Sequence, residues 1–190
     1  MAGQLVQVAT NTVTSAVASV DLIGTTTDDV YVIFANNVTP SSDSQNFRFR
    51  VLESGSANTT SNYDYAHKFL TASGSVISAS EYDRANLNMK AGSSFTEPKS
   101  TGATSFFSHT ELNTSNDSGG ALSYLFTPFN SSIYTFHLAQ TDGYDSSNNF
   151  QSKKIIGVHK DTTTITGFNY FADSGTFSAT IRTYGLRVDS

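Results

Sequence analysis

Apolar and polar side chains alternate with a period of two, the pattern of a strand with one buried and one exposed face. Phe47, Phe49 and Val51 alternate with Arg48 and Arg50. The same alternation recurs at Tyr63, Tyr65, His67 and Phe69, and at Phe177, Ala179 and Ile181. Because the side chains of a strand point to opposite faces in turn, these segments are predicted to be strands.

Other segments are apolar on both faces, which is typical of central strands covered on both sides. The clearest is 30–35, and weaker candidates are 122–126, 133–138 and 155–158. Clusters of turn-forming residues separate the candidates. About ten to twelve short strands of this kind predict an all-β fold, with sandwich, jelly roll and barrel still open. No linker divides the chain, so residues 1–190 are predicted to form one domain.

Evidence for helix is confined to one segment. Residues 79–90 contain helix-forming side chains, and Gly92 would end any helix there. We expect at most one short helix near residues 79–90, followed by an irregular stretch over 92–104.

The last segment contains a shift in its alternation. The apolar positions move from Ile181 to Tyr184, Leu186 and Val188. A slip of one residue reverses which face a strand buries. It predicts a β-bulge near Arg182 or a strand that passes from one sheet to another.

The low charge of the chain limits its partners. Charged residues make up 14% of the sequence, the net charge is −5, and no run of Lys or Arg occurs. Nucleic acid is therefore an unexpected partner, because binding to phosphates needs clustered cations. No apolar stretch is long enough to cross a membrane, and the N-terminus does not resemble a signal peptide. With no cysteine, the pattern fits a protein made in a reducing cytoplasm.

Motifs for catalysis or metal binding are missing from the sequence. There is no Gly-x-Ser-x-Gly elbow, phosphate loop or His-Glu-x-x-His segment. His109 and Glu111 have the spacing that places two ligands on one strand face, but no further ligand motif supports a metal site. The four histidines are therefore interpreted as ordinary strand or surface residues, and we expect no enzyme activity, no metal and no cofactor.

One turn is rich in oxygen donors. Asp142, Asp145 and Asn148 lie within seven residues and are compatible with calcium. The segment lacks the Asp-x-Asp-x-Asp-Gly order and the distant Glu of an EF-hand loop. A solvated turn is the favoured interpretation, because turns use these residue types anyway.

The aromatic side chains of one predicted strand are the candidate contact site. Tyr63, Tyr65 and Phe69 share a face. Three interpretations are open: they belong to the core, which is the commonest role of such spacing, they stack on sugar rings, or they contact a neighbouring subunit.

Four phrases of strand and turn residues together resemble a known class of proteins. They are 29–40, 47–51, 61–66 and 175–188. They resemble small β-sandwich proteins among the virion structural proteins of tailed bacteriophages. The resemblance implies a single antiparallel, jelly-roll-like β-sandwich displayed on a head, neck, tail or fibre. Residues 75–150 do not contribute to it.

The leading functional expectation is a structural virion protein that decorates the head or forms part of the tail or neck. Its expected partners are copies of itself and other virion proteins, contacted through sheet edges and loops. The alternative is a carbohydrate- or host-receptor-binding module of a tail fibre, with a host surface glycan as ligand. A hydrolase on a β scaffold ranks third, because no motif supports it.

Overall fold

The computed structural model describes residues 3–24, 30–72, 99–107, 112–114 and 119–188. The helix predicted near residues 79–90 lies outside these ranges. The irregular stretch predicted over 92–104 is wrong where the structure describes it, because Lys99–Ala103 is a strand that pairs with its neighbour. No helix long and apolar enough to cross a membrane is found among the described residues.

The described residues form thirteen strands and no helix. Their bounds are Gly3–Val17 (β1), Ser19–Ile23 (β2), Val30–Pro40 (β3), Phe47–Glu53 (β4), Ser56–Ala57 (β5), Tyr63–Ala72 (β6), Lys99–Ala103 (β7), Phe106–Phe107 (β8), Gly119–Phe126 (β9), Thr135–Tyr144 (β10), Phe150–His159 (β11), Ile165–Ala172 (β12) and Phe177–Val188 (β13). All the pairings between these strands are antiparallel. The prediction of an all-β, antiparallel fold is confirmed.

The strand order is that of a jelly roll. The large sheet has the order β1-β13-β3-β9-β10-β11-β6-β7, and the small sheet has the order β2-β12-β4-β5, with β8 also on β4. The first and last strands of the chain are neighbours, and both β1–β2 and β12–β13 pass from one sheet to the other. Eight strands therefore form two four-stranded sheets with crossing antiparallel ribbons, as in a jelly-roll sandwich. The strands β10, β11, β6 and β7 extend the large sheet beyond this frame.

An aromatic core joins the two sheets. Phe47 stacks on Tyr170 with ring centroids 5.8 Å apart, and Phe177 meets both rings edge-on at 5.4 and 5.6 Å. These rings come from β4, β12 and β13, so the cluster ties the small sheet to the large one. Each such buried ring stabilises the fold by about 1.5–3 kcal/mol relative to an exposed one. The alternation in β4 is confirmed, because Phe47, Phe49 and Val51 are buried.

The bulge predicted near Arg182 is wrong for β13 itself. Alternate residues of this strand stay buried from Phe177 through Thr183 to Gly185, with no slip. The irregularity lies in the partner strand, where Val8 is an extra residue opposite the step from Tyr184 to Thr183. The apolar parity misled the prediction because Tyr184 and Leu186 place apolar side chains on the outer face of the sheet.

The segment after β7 joins the extension of the large sheet to the edge of the small sheet. β7 pairs with β6, and two residues later β8 pairs with Arg48 and Phe49 of β4. Ser105 and Phe106, at this crossing, are buried. The crossing therefore forms a wall beside the outer face of β4.

Candidate functional site

The outer face of the large sheet, which points away from the small sheet, carries two rows of apolar side chains. Strand register places these rows side by side across β13, β3, β9, β10 and β11. The first row is Tyr184, Val32, Tyr124, Leu138 and Ile156, and the second is Val30, Phe126, Phe136 and Val158. These nine residues are called the apolar face below.

Much of the apolar face is open to solvent. Phe136, Leu138 and Ile156 are 52%, 44% and 61% exposed, and Leu5 and Leu186, paired at the adjoining edge, are 53% and 39% exposed. With the half-buried neighbours, the apolar area is on the order of 600 Å², which is at the upper limit for the largest patch of a monomer. This area approaches the roughly 800 Å² that each partner buries in an interface of standard size.

Charge is confined to the margin of the apolar face. The row next to Tyr184 and Leu138 runs from Arg182 through Phe34, Leu122 and Gln140 to Lys154. Two cations therefore lie along one side of the face, and its centre contains only uncharged side chains. A centre without charge and a polar rim are features of protein interfaces.

A second feature is an open polar cleft on the other side of the sandwich. It has a volume of about 440 Å³, within the roughly 300–1,000 Å³ of small-molecule sites. It lies between the outer face of β4 and the wall that follows β7. Its lining residues are Arg48, Arg50, Tyr65, Gly102, Ala103, Thr104, Ser105, Phe171 and Asp173.

Arg48 is fixed in the cleft by two partners. Its Nε donates to both carboxylate oxygens of Asp173, at 2.8 and 2.9 Å, and its Nη1 donates to the Tyr65 hydroxyl at 3.3 Å. Partial burial lowers the pKa of Arg48, but the hydrogen bonds to Asp173 and Tyr65 outweigh burial and leave the pKa raised. Arg48 is thus a charged support for the cleft.

Arg50 is held differently. Its Nε donates to the main-chain oxygen of Thr104 at 2.9 Å, and its guanidinium carbon lies 4.1 Å from the centroid of the Phe171 ring. The two terminal nitrogens make no hydrogen bond within the described chain. Arg50 therefore presents an oriented guanidinium fork to the cleft.

Comparison with known proteins does not assign the chain to a family. No family model, curated protein or solved structure matches the chain.

The predicted contact residues separate in the structure. Tyr63 is 0% exposed; its hydroxyl accepts from Val51 N at 3.2 Å and donates to Asn58 O at 3.1 Å. Burial raises its pKa above the usual value. Of the three interpretations left open for Tyr63, the structure agrees with the core one and not with the contact surface, because the wall containing Phe106 covers it. Tyr65 is half-buried and reaches the cleft, whereas the Phe69 side chain lies outside the described part.

Two of the four histidines are core residues. His137 is buried against Phe49 and Phe106, with ring centroids 4.6 and 4.8 Å away, and neither of its ring nitrogens has a hydrogen-bond partner among the described residues. Burial lowers the pKa of His137 to about 3. His159 is also buried and its pKa is also lowered by burial, although Glu53 at 3.9 Å opposes the shift.

The sequence offers two other candidate metal sites, the His109 and Glu111 pair and the turn around Asp145. His109 and Glu111 lie outside the described residues. The Asp145 carboxylate accepts from the main-chain nitrogens of Ser147 and Asn149 at 2.9 and 2.8 Å, and from the Gln151 side chain at 2.6 Å. Burial raises the pKa of Asp145, but these hydrogen bonds outweigh it and lower the pKa. Asp145 therefore organises a turn, as the sequence predicts, but it does so as a buried residue and not as a solvated one.

The apolar face was missed by the sequence analysis, although its signal was present. The segments 30–35, 133–138 and 155–158 are apolar on both faces, a pattern that predicts burial on both sides. In the structure the small sheet covers only the inner side of the large sheet. Doubly apolar strands in a two-layer sandwich are therefore the signal for an uncovered apolar surface.

Proposed function

We propose that the protein is a structural subunit that is built into a larger assembly through the apolar face, and that this assembly is the virion of a tailed phage. In this role the subunit decorates the head or forms part of the tail or neck. This role requires no catalysis, because contacts between packed subunits are sufficient for it.

The observation that carries the proposal is the exposure of Phe136, Leu138 and Ile156 at the centre of the large sheet. An isolated sandwich usually places polar residues on such a face. Leaving large apolar side chains in water costs about 25 cal/mol per Å² relative to burial. Covering about 600 Å² of this surface on each of two copies would bury an area at the lower end of the range for specific interfaces.

The occupant we propose is the same face of a second copy. Arg182 and Lys154 lie along one margin of the face. A twofold axis that lies in the plane of the face, parallel to this margin, would place the two basic margins on opposite sides, so that like charges stay apart. The contact differs from the sheet edges and loops that the sequence suggested, because register places the largest apolar area on a face.

The assignment to a virion is supported by the resemblance of four segments to phage structural proteins and by the jelly-roll order, which occurs in viral capsid domains. Mass spectrometry of purified particles from the phage that encodes the chain is the test. We expect the protein at a stoichiometry that matches a symmetric site. Absence of the protein from purified particles would overturn the virion assignment, but not the self-association.

A further inference from the structure

We propose that the cleft is a binding site for an anionic sugar, whose carboxylate is held by the terminal nitrogens of Arg50. This inference is independent of the proposed assembly, because the cleft opens on the opposite side of the sandwich from the apolar face. It assigns a ligand class to a site whose sequence signals are the pair of arginines on the polar face of β4 and Tyr65.

The Arg50 guanidinium is pre-organised for a ligand. The Nε bond to Thr104 O and the stacking on Phe171 fix the plane of the Arg50 guanidinium before any ligand arrives. The remaining nitrogens form a fork that matches two carboxylate oxygens. A fork that is already fixed loses little side-chain entropy when it binds.

The cleft has a net positive charge. Arg48 and Arg50 contribute two positive charges, and Asp173 contributes one negative charge that is engaged by Arg48 Nε. The surplus positive charge belongs to Arg50. An anion therefore gains both electrostatic attraction and directed hydrogen bonds at this position.

Hydrogen-bond acceptors in the cleft favour a sugar acid over an acidic peptide. The Asp173 carboxylate and the Tyr65 hydroxyl line the same cleft as Arg50, and both accept hydrogen bonds from Arg48. Each carboxylate oxygen has capacity for a second donor. A ligand that fits carries a negative charge and neighbouring hydroxyl donors on one compact ring. A uronic acid has this combination, whereas an acidic side chain has the charge without the hydroxyls.

The test uses three probes of matched size on the whole chain, with binding followed by saturation-transfer NMR and calorimetry. They are galacturonic acid, galactose, which lacks the carboxylate, and an acetylated, amidated glutamate, which lacks the hydroxyls. We expect galacturonic acid to bind at least about tenfold more tightly than either of the others. Equal binding of galactose, tighter binding of the glutamate, or no binding of galacturonic acid would overturn the proposal.

Variants tie the binding to Arg50. We expect Arg50→Gln to weaken galacturonic acid binding by about tenfold or more, and Arg50→Lys to weaken it less, because charge remains without the fork. Phe171→Leu removes the stacking surface and should weaken binding several-fold. The matched control is Arg182→Gln, at the margin of the opposite face, which should leave binding unchanged. Unchanged binding in folded Arg50→Lys and Phe171→Leu would overturn the proposal even if Arg50→Gln failed to fold.

Discussion

The two outer faces of the sandwich differ although both belong to strands of one core. The outer face of the small sheet is polar and internally bonded: Arg48 binds Asp173, and Asn169 donates to Asp21 at 2.6 Å. The outer face of the large sheet presents Leu138, Ile156 and their neighbours to solvent. Hydrogen bonding therefore satisfies the polar groups of the small face within the chain, whereas the large face leaves apolar side chains in solvent, and we propose that a second copy covers them.

The largest expected effect contrasts the core with the apolar face. We expect Phe47→Ala to lower the free energy of unfolding by about 3–5 kcal/mol, because it removes a ring from the aromatic cluster between the sheets. Phe136→Ala should cost less, about 1 kcal/mol in dilute monomer, because only about half of that ring is buried. Urea denaturation at low protein concentration measures both. A similar cost for the two changes would mean that the chain itself covers the large face.

A smaller effect is the pH dependence of the free energy of unfolding that arises from the buried His137. His137 has a folded-state pKa of about 3, below the 6.5 of an unfolded chain. The neutral form therefore stabilises the fold fully above pH 6.5, and this stability is lost as the pH falls from 6.5 toward 3. Between pH 7.5 and 5 the loss from this group is about 2 kcal/mol.

Replacement of His137 by Leu tests this account. The variant should retain the fold, because the ring makes apolar contacts and no hydrogen bonds. Denaturation at several pH values should show a shallower loss of stability below pH 6.5 than in the wild type. Parallel curves for the two proteins would show that His137 does not titrate on unfolding.

The smallest effect belongs to the polar face. Asp173→Asn removes a partly exposed ion pair with Arg48, so we expect a loss of at most about 1 kcal/mol. The loss should shrink in concentrated salt, which screens the pair. Thermal unfolding at low and high salt measures it. A loss of several kcal/mol that is insensitive to salt would mean that a partner or another segment buries this face as well.

Local pattern predicted the parts of the fold that depend on local chemistry. The alternation of Phe47, Phe49 and Val51 with two arginines predicted the strand and both of its faces. The same reasoning failed at Tyr184, because parity identifies the core only when the opposite face is polar. Local pattern also failed to identify the apolar face. The sequences of 133–138 and 155–158 would be apolar on both faces whether a second layer of the same chain or a second copy covered them.

The cleft was beyond local pattern for a different reason. Arg48 and Asp173 are 125 residues apart in the sequence, and Arg50 meets Phe171 from a neighbouring strand. The register of β4 with β12 brings them together, and no short motif encodes that register. Only Tyr65, among the predicted contact residues with described side chains, reaches the cleft.

Sedimentation of the wild type beside a Leu138→Lys, Ile156→Lys variant tests the central claim most directly. At roughly 100 μM, where even a modest interface is populated, we expect the wild type to associate and the variant to sediment as a folded monomer. Thr162→Lys with Thr164→Lys adds the same charge at exposed loop positions and should associate like the wild type. A wild type that stays monomeric, or a lysine variant that associates equally well, would contradict the account.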